Sequence, residues 1–582
     1  MRIRRVEIEN FKGIKRADWR VPADKTFFCL IGPGDSSKTT LLEAIHLALT
    51  DRWNLSINDT DFYDGDTSTS IIIRVTVSDL PAEMLQHSLL GFHLSGVNSD
   101  GEYQHDPQGD FLPCVIIQLK LSKDVEPSWT IFRPDHEGEF APIGAGVRRR
   151  FDVFKADDRI DIQLRWSKAS ALSRLTDSTH GATGTLAAAV RAAREAVFNS
   201  VTPELQALTG KIQDEVNKLG TGSFANMRPG LDNSLTTSGG NLALFEGNVP
   251  MTNYGLGTRR LAGIATQQMA VEKGAVLLID EIEHGLEPHR LVHLLRHFAK
   301  NPLECQIFVT THSSIAVEQL QATDLVIVRS SRGEVDAKSV SAGLEGVQAG
   351  LRAGPSAFLA RRIVVAEGKT EHGLLLGLTR QWDETRSSAG YAPLAALGST
   401  IQDGRGGSTA PTRAKLLQGL GYSTALFVDH DDPSIDNAVQ ATARAGSLVV
   451  RWEAGLATED QLVASMDASL LTDLLVLAGR VRVDEETVIA DLNRVMTDSV
   501  STTSVSEWLD QGVPIDAARE GISKAAKKYK WFKTVDDAII LGEWVHGHWP
   551  SIVGSTFESK LSGLRSYLYF EDMPSEGFDS DG

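Results

Sequence analysis

Two stretches of this chain place carboxylates at the ends of short apolar runs. In the first, Ile363-Val364-Val365-Ala366 stops at Glu367, and Glu371 follows where Leu374, Leu375, Leu376 and Leu378 bring in a helical pattern. In the second, Ala425-Leu426-Phe427-Val428 stops at Asp429, with Asp431 two positions on. Continuous apolar runs of this kind read as buried parallel strands, and ligands in open α/β sheets bind beyond the carboxyl ends of such strands. In extended chain Asp429 and Asp431 are expected on one side. If the two strands are neighbours, three or four carboxylates share one crevice, an unfavourable arrangement until protons or cations neutralise it. Hard divalent ions with oxygen ligands, magnesium or manganese, suit it. Taken singly, the same residues also read as a helix cap and a polar turn.

A phosphate chemistry lies upstream. The run Phe27 to Ile45, FFCLIGPGDSSKTTLLEAI, is an apolar strand, then Gly32-Pro33-Gly34-Asp35-Ser36-Ser37-Lys38-Thr39, then an amphipathic helix. This is close to a P-loop: Gly32 and Gly34 let backbone N–H groups cradle phosphates at a helix N-terminus, Lys38 reaches the β- and γ-phosphates, and Thr39, beside Thr40, binds magnesium. Ser37 stands where such loops carry a second glycine, which predicts strain and slow turnover. Further on, GAVLLIDEIEHGLEP ends a strand in Asp280-Glu281. This ending resembles the Walker B arrangement, which implies that Asp280 orients magnesium through water and Glu281 polarises the attacking water. His312 follows the apolar strand of QIFVTTHSS, one helix and one strand later, at a position that resembles the switch histidine of ABC-type ATPases, which implies that it senses the γ-phosphate. Before them, Gly257 sits in Tyr254-Gly255-Leu256-Gly257-Thr258 at a helix start, whose free N–H groups favour an anion.

The elements that must position these residues form a long chain. Its 582 residues exceed one core, and at ~150 residues per domain three or four domains are expected. Forty-two per cent hydrophobic and 23% charged residues are ordinary for a soluble globular protein. No run approaches the ~20 apolar residues of a membrane span. Cys29, Cys114 and Cys305 are scattered in apolar contexts and read as buried thiols of a reducing, cytoplasmic compartment. A net charge of -18 argues against indiscriminate coating of nucleic acid, though not against a local basic groove.

Between the P-loop helix and Gly257, TSIIIRVTVSDLP, LPCVIIQLKLS, SWTIFRP and RIDIQLRW read as strands of an antiparallel lobe. TLAAAVRAAREAVF and the segment after Pro203, with Leu205, Leu208, Ile212, Val216 and Leu219 near a heptad seam, read as a helical hairpin for packing or dimerisation. It is too short for a long tethering arm. SAGLEGVQAGLRAGPS reads as a linker, and DGRGGS as flexible backbone near the acidic crevice. Glu453, Glu459 and Asp460 follow a further strand; any of them could complete a second cation site, or cap a helix. SKAAKKYKWFKT interleaves Lys524, Lys527, Lys528, Lys530 and Lys533 with Tyr529, Trp531 and Phe532, a pattern that suits a nucleic-acid strand or a solvated helix with a packed Trp.

Two resemblances follow from these motifs. The four upstream motifs resemble an ABC-type ATPase, which implies ATP with magnesium and a dimer whose signature element completes the opposite site. The glutamate followed by Asp-x-Asp resembles the Toprim domain. Both in one chain resemble the OLD (overcoming lysogenisation defect) nucleases, relatives of the Gabija nuclease of antiphage defence. The implied fold class is α/β: an ABC-type ATPase head with an antiparallel lobe and an inserted helical hairpin, then a Toprim domain with C-terminal helices. Boundaries are expected at 1–165 and 236–350 for the ATPase, 166–235 for the insertion, 360–470 for Toprim, 471–568 for the helical part and 569–582 for a disordered acidic tail. The resemblance implies two divalent cations at Glu367, Glu371, Asp429, Asp431 and Glu459, with Lys533 near a scissile DNA phosphate, and a UvrD-like helicase as partner in some members. Competing readings are a topoisomerase, for which too few residues follow Asp431; a primase, for which the cysteines supply no zinc module; and an ATP-switched DNA sensor with an inactive Toprim site.

Overall fold

The computed structural model describes residues 1–53, 55–134, 141–151, 153–156, 182–220, 223–232, 241–250, 253–270, 275–300, 305–341, 343–344 and 346–570. It divides into two compact units, Met1–Ala342 and Gly343–Gly582. The expected strand at RIDIQLRW and the acidic tail beyond Phe570 lie outside the described residues.

Unit one is built on a mixed sheet. Val153–Ala156, Val276–Ile279, Gln306–Thr310, Phe27–Ile31 and Leu325–Ser331 lie side by side and parallel. These runs are apolar on both faces; Phe27–Ile31 and Val276–Ile279 are buried throughout, as strands covered on two sides must be. The sheet then continues through Glu334–Ser339 and Ile14–Arg20 into antiparallel pairs of Arg2–Phe11, Ile71–Ser78, Leu112–Leu121 and Pro127–Phe132. The P-loop helix Lys38–Leu49 buries Leu41, Leu42, Ile45 and Leu49 against it.

The inserted segment holds helices Ala182–Asn199 and Pro203–Leu219, and Thr202 caps the second. The seam does not project as a free stripe. Ile212, Val216 and Leu219 are buried against unit one, where Pro203–Leu219 packs on Leu256–Ala270 and Pro288–Lys300, while Leu208 stays exposed. Beyond it Met227–Asp232, Asn241–Glu246 and Val249–Pro250 form a small antiparallel sheet that crosses the expected boundary at 235. The three cysteines are buried and free, and burial pushes their thiols up, Cys114 to about 12 and Cys305 to about 11.

Unit two has a four-stranded parallel sheet in the order Ser399–Asp403, Arg362–Ala366, Ser423–Val428, Leu448–Arg451. The two units divide within the segment read as a linker, but its later part is a helix, Val347–Ala353, with Val347 and Leu351 buried; just beyond it Phe358 is buried and its O accepts from Tyr422 Oη at 2.8 Å. The helices from Ala468 to Tyr569 share one hydrophobic core with the sheet, because Trp452, Leu474, Trp508, Trp531 and Leu564 pack in the same cluster. Tyr569, assigned to the tail by the sequence reading, closes the last helix and is buried.

Glycines set one contact that matters for the site. Helices Lys369–Ser388 and Val535–Gly547 approach backbone to backbone at Gly373, Gly377 and Gly542. A Cβ on Gly377 would lie 2.2 Å from Ile539 O, and one on Gly542 2.3 Å from Leu374 O. Only the missing side chains allow this approach, which brings the segment before the second helix to the start of the first, where Phe532 O, next to Lys533, accepts from Thr370 Oγ1 at 3.2 Å.

Candidate functional site

In unit one the P-loop runs from the strand Phe27–Ile31 into its helix. A Cβ on Gly32 would meet Val328 O at 2.2 Å, so that position admits glycine alone, whereas Gly34 is open. Ser37 takes the left-handed conformation, φ 69 and ψ 22, at the helix N-cap, and its side chain makes no capping bond. This is the physical reason for the usual glycine there: a side chain in that region costs roughly 1–2 kcal/mol. Lys38 is buried and folds back, its Nζ donating to Gly32 O, Pro33 O and Ser36 Oγ at 3.0, 2.7 and 3.1 Å. Burial lowers its ammonium to about 8, against the pull of Asp280 and Asp35.

Asp280 joins this loop. Its Oδ1 accepts from Thr39 Oγ1 at 3.0 Å and from Thr310 Oγ1 at 2.6 Å, and Glu281 N donates to Thr310 Oγ1 at 2.8 Å. Glu281 is exposed with φ 45, so its carboxylate is carried outward beside Asp280. Burial, and then Lys38 nearby, lower the His312 imidazole. Thr40 lies half-exposed in the first helical turn. Gly257 opens the helix Leu256–Ala270, and a Cβ there would sit 2.4 Å from Gly285 O. Two participants escaped the sequence reading. Glu283 accepts from Thr311 Oγ1 and His312 N, both at 2.6 Å, and Arg260 donates to the carbonyls of Asp280 and Glu281. Their position beside Asp280-Glu281 and Gly257 was the available signal.

In unit two, the strands ending before Glu367 and Asp429 are direct neighbours. Glu367 Oε2 accepts from Asp429 N at 2.9 Å. Glu371, 4% exposed, lies in the first turn of Lys369–Ser388, where its Oε2 accepts from Gly368 N at 3.0 Å, so it caps the helix and faces the cluster at once. Thr458 Oγ1 lies 2.9 Å from Glu371 Oε1 and 2.8 Å from Asp429 Oδ1. Glu459, 2% exposed, has Lys533 Nζ 2.9 Å from its Oε1, and its Oε2 is buried with no hydrogen-bond partner. Burial, then the charges of Glu371 and Glu367, push the Asp429 carboxyl up to about 9; burial likewise raises Glu371. Burial alone would lower Lys533, but Glu459, Glu371 and Asp429 outweigh it and raise it.

Other expected residues fall elsewhere. The chain bends at His430 and Asp431, so the extended geometry expected of Asp429 and Asp431 is lost, and Asp431 is exposed. Glu453 is exposed and bonded to Gln461 and Thr556. Asp460 is the helix-capping acid, accepting from Ala457 N, and pairs with Lys527 at 2.6 Å. Trp531 and Phe532 are core residues, Trp531 Nε1 donating to Asp491, and so have no face for a base; Lys524 pairs with Glu520. The DGRGGS backbone lies on the strand tip, Gly404 N donating to Ala366 O and Gly406 N to Glu367 O. Among the described residues no three His, Cys, Asp or Glu side chains stand ready to hold a metal ion. Each cluster carboxylate meets a protein donor, Glu459 through Lys533 at its Oε1 alone. The residues nevertheless fit cations in kind: Glu459 Oε2 lacks a donor, and burial together with the charges of Glu371 and Glu367 raises the Asp429 carboxyl, a load that a cation would relieve.

Among the described residues no helix is long and apolar enough to cross a membrane. No curated protein matches the chain. Solved structures that align with it include an SMC head bound to the C-terminal winged-helix domain of ScpA, at 15% identity over 59% of this chain and 99% of that one, TM-score 0.36. The SMC head domain from Thermotoga maritima aligns at 12% identity over 59% and 100%, TM-score 0.31. A Pyrococcus furiosus Smc head with an extended coiled coil aligns at 12% over 58% and 96%, TM-score 0.36. The profile of one family matches residues 27–318, just over half of the 582 residues, and that span includes every phosphate-loop residue described above. The chain belongs to this ATPase family, described as "AAA domain, putative AbiEii toxin, Type IV TA system".

Proposed function

We propose that unit two is a Toprim-type nuclease centre of the OLD class, and that the protein is an ATP-regulated, divalent-cation-dependent DNA endonuclease of antiphage defence or DNA processing. The observation that carries this reading is the gathering of Glu367, Glu371, Asp429, Glu459 and Lys533 at the carboxyl end of a parallel sheet. Two magnesium or manganese ions held there would activate water and stabilise the leaving oxygen of a phosphodiester. The chain's own side chains do the remaining work. Glu367, Glu371, Asp429 and Glu459 supply oxygens, with Asp431 brought in from its exposed bend. Lys533, freed from Glu459, offsets the charge that builds on the phosphate.

Upstream, Gly32, Gly34, Ser37, Lys38, Thr39 and Thr40 hold the nucleotide, with Asp280, Glu281 and His312 on its γ-phosphate side and Gly257 completing the site of a second copy. The ATPase and nuclease resemblances imply a homodimer or larger homo-oligomer on DNA, with a UvrD-like helicase as companion in some members. Incubating the purified protein with supercoiled plasmid and magnesium or manganese tests the reading. Nicked or linear product is expected; a ladder of relaxed topoisomers would make it a topoisomerase, and unchanged plasmid would sink it. One observation favours an ATP-switched DNA-binding protein that does not cut: the carboxylates are occupied by protein donors and by Lys533.

A further inference from the structure

Thr458 sits inside the acidic cluster without a role in the chemistry above. It is fully buried, and its Oγ1 has three partners: Trp452 Nε1 at 2.8 Å, Glu371 Oε1 at 2.9 Å and Asp429 Oδ1 at 2.8 Å. Its backbone N–H donates to the same Asp429 oxygen at 2.9 Å. The helix it opens does not need its hydroxyl, because Asp460 caps that helix through Ala457 N. A hydroxyl has one proton and two lone pairs, and an indole N–H only donates. Trp452 therefore occupies a lone pair of Oγ1 and leaves its single O–H to be shared between the two carboxylates. The indole is itself held, stacked on Phe557 at 5.1 Å and edge-on to Phe427 at 5.1 Å.

We infer that Thr458 is the positioning residue of the cation site: its hydroxyl, aimed by Trp452, sets the spacing and rotamers of Glu371 and Asp429. This rests on the two-cation reading of the cluster. Groups that orient metal ligands from behind cost about 10–100-fold in metal affinity when removed.

Thr458→Val keeps the branched shape and deletes the O–H, whereas Thr458→Ser keeps the O–H. Each full-length variant is titrated with manganese chloride and followed by thermal shift and indole fluorescence. The wild type is stabilised and its emission changes. Thr458→Val loses about 10–100-fold in apparent manganese affinity, Thr458→Ser stays within a few-fold, and ATP binding in unit one is unchanged in both. Trp452→Phe, a second route should Thr458→Val fold poorly, loses part of the affinity with Thr458 intact. Wild-type manganese affinity in Thr458→Val, or in Trp452→Phe when the valine variant fails to fold, overturns the inference alone. A wild type that manganese neither stabilises nor makes cut plasmid overturns the two-cation reading, and this inference with it.

Discussion

Lys533 Nζ stands 2.9 Å from Glu459 Oε1, so a loop between two C-terminal helices supplies the cation that faces a buried carboxylate at the end of the parallel sheet. On the two-cation reading proposed above, that ammonium competes with a metal ion for Glu459. Lys533→Met should therefore leave manganese binding intact or tighten it, since a competing cation is gone. Plasmid cleavage should fall by about 10²–10³-fold, the scale of losing one preorganised charge-stabilising group. Calorimetric manganese titration and a nicking time course check both halves; retained cleavage removes Lys533 from the chemistry.

Asp429 shows the cost of burial, and after it of neighbouring carboxylates. Its carboxyl is raised to about 9 from an ordinary 3.8. A group whose folded value is raised contributes stability that is complete below the unfolded value and is lost as pH climbs through the folded one. In EDTA, unit-two stability should decline from about pH 4 to about pH 9. Asp429→Asn should flatten that decline, raise the melting temperature at neutral pH and abolish both manganese stabilisation and cleavage, with ATP binding unchanged. Thermal melts across pH decide it; a variant as pH-sensitive as the wild type contradicts the assignment.

Ser37 carries left-handed strain that glycine would not. Ser37→Gly should relieve about 1 kcal/mol and raise steady-state ATP hydrolysis several-fold. Ser37→Val should do the reverse, because a β-branched residue fits that conformation worst. Phosphate-release assays on the three proteins give the order; equal rates would show that the loop geometry does not limit turnover.

Gly377 tests the scaffold without touching the cluster. A methyl there meets Ile539 O at 2.2 Å, so Gly377→Ala must push apart the helices that align Glu371 with Lys533. Overpacking of this kind costs about 1–3 kcal/mol. The expected outcome is a lower melting temperature and cleavage reduced more than ATP binding. Unchanged cleavage would mean that this helix contact does not register Lys533.

The residue types and local order were legible in the sequence. Apolar runs ending in Glu367, Asp429 and Asp280-Glu281 mark strand tips because a doubly buried strand must be apolar until it leaves the sheet. The phosphate loop is legible because glycine-rich backbone ahead of a helix has few other uses, and Ser37 could be seen as a departure before its left-handed φ explained why. Where period and composition admitted two answers, only packing chose. Trp531 and Phe532 look like a stacking platform beside lysines and are core; the Gly-rich segment near residue 350 looks like a linker, and the units do divide at its start, yet its later part is a packed helix. Glu459 and Asp460 are adjacent in sequence, yet one enters the cluster and the other caps the helix, because consecutive helical side chains point about 100° apart. Strand adjacency, the bend that exposes Asp431 and the glycine contact that delivers Lys533 are long-range facts, set by how surfaces fit rather than by any local pattern.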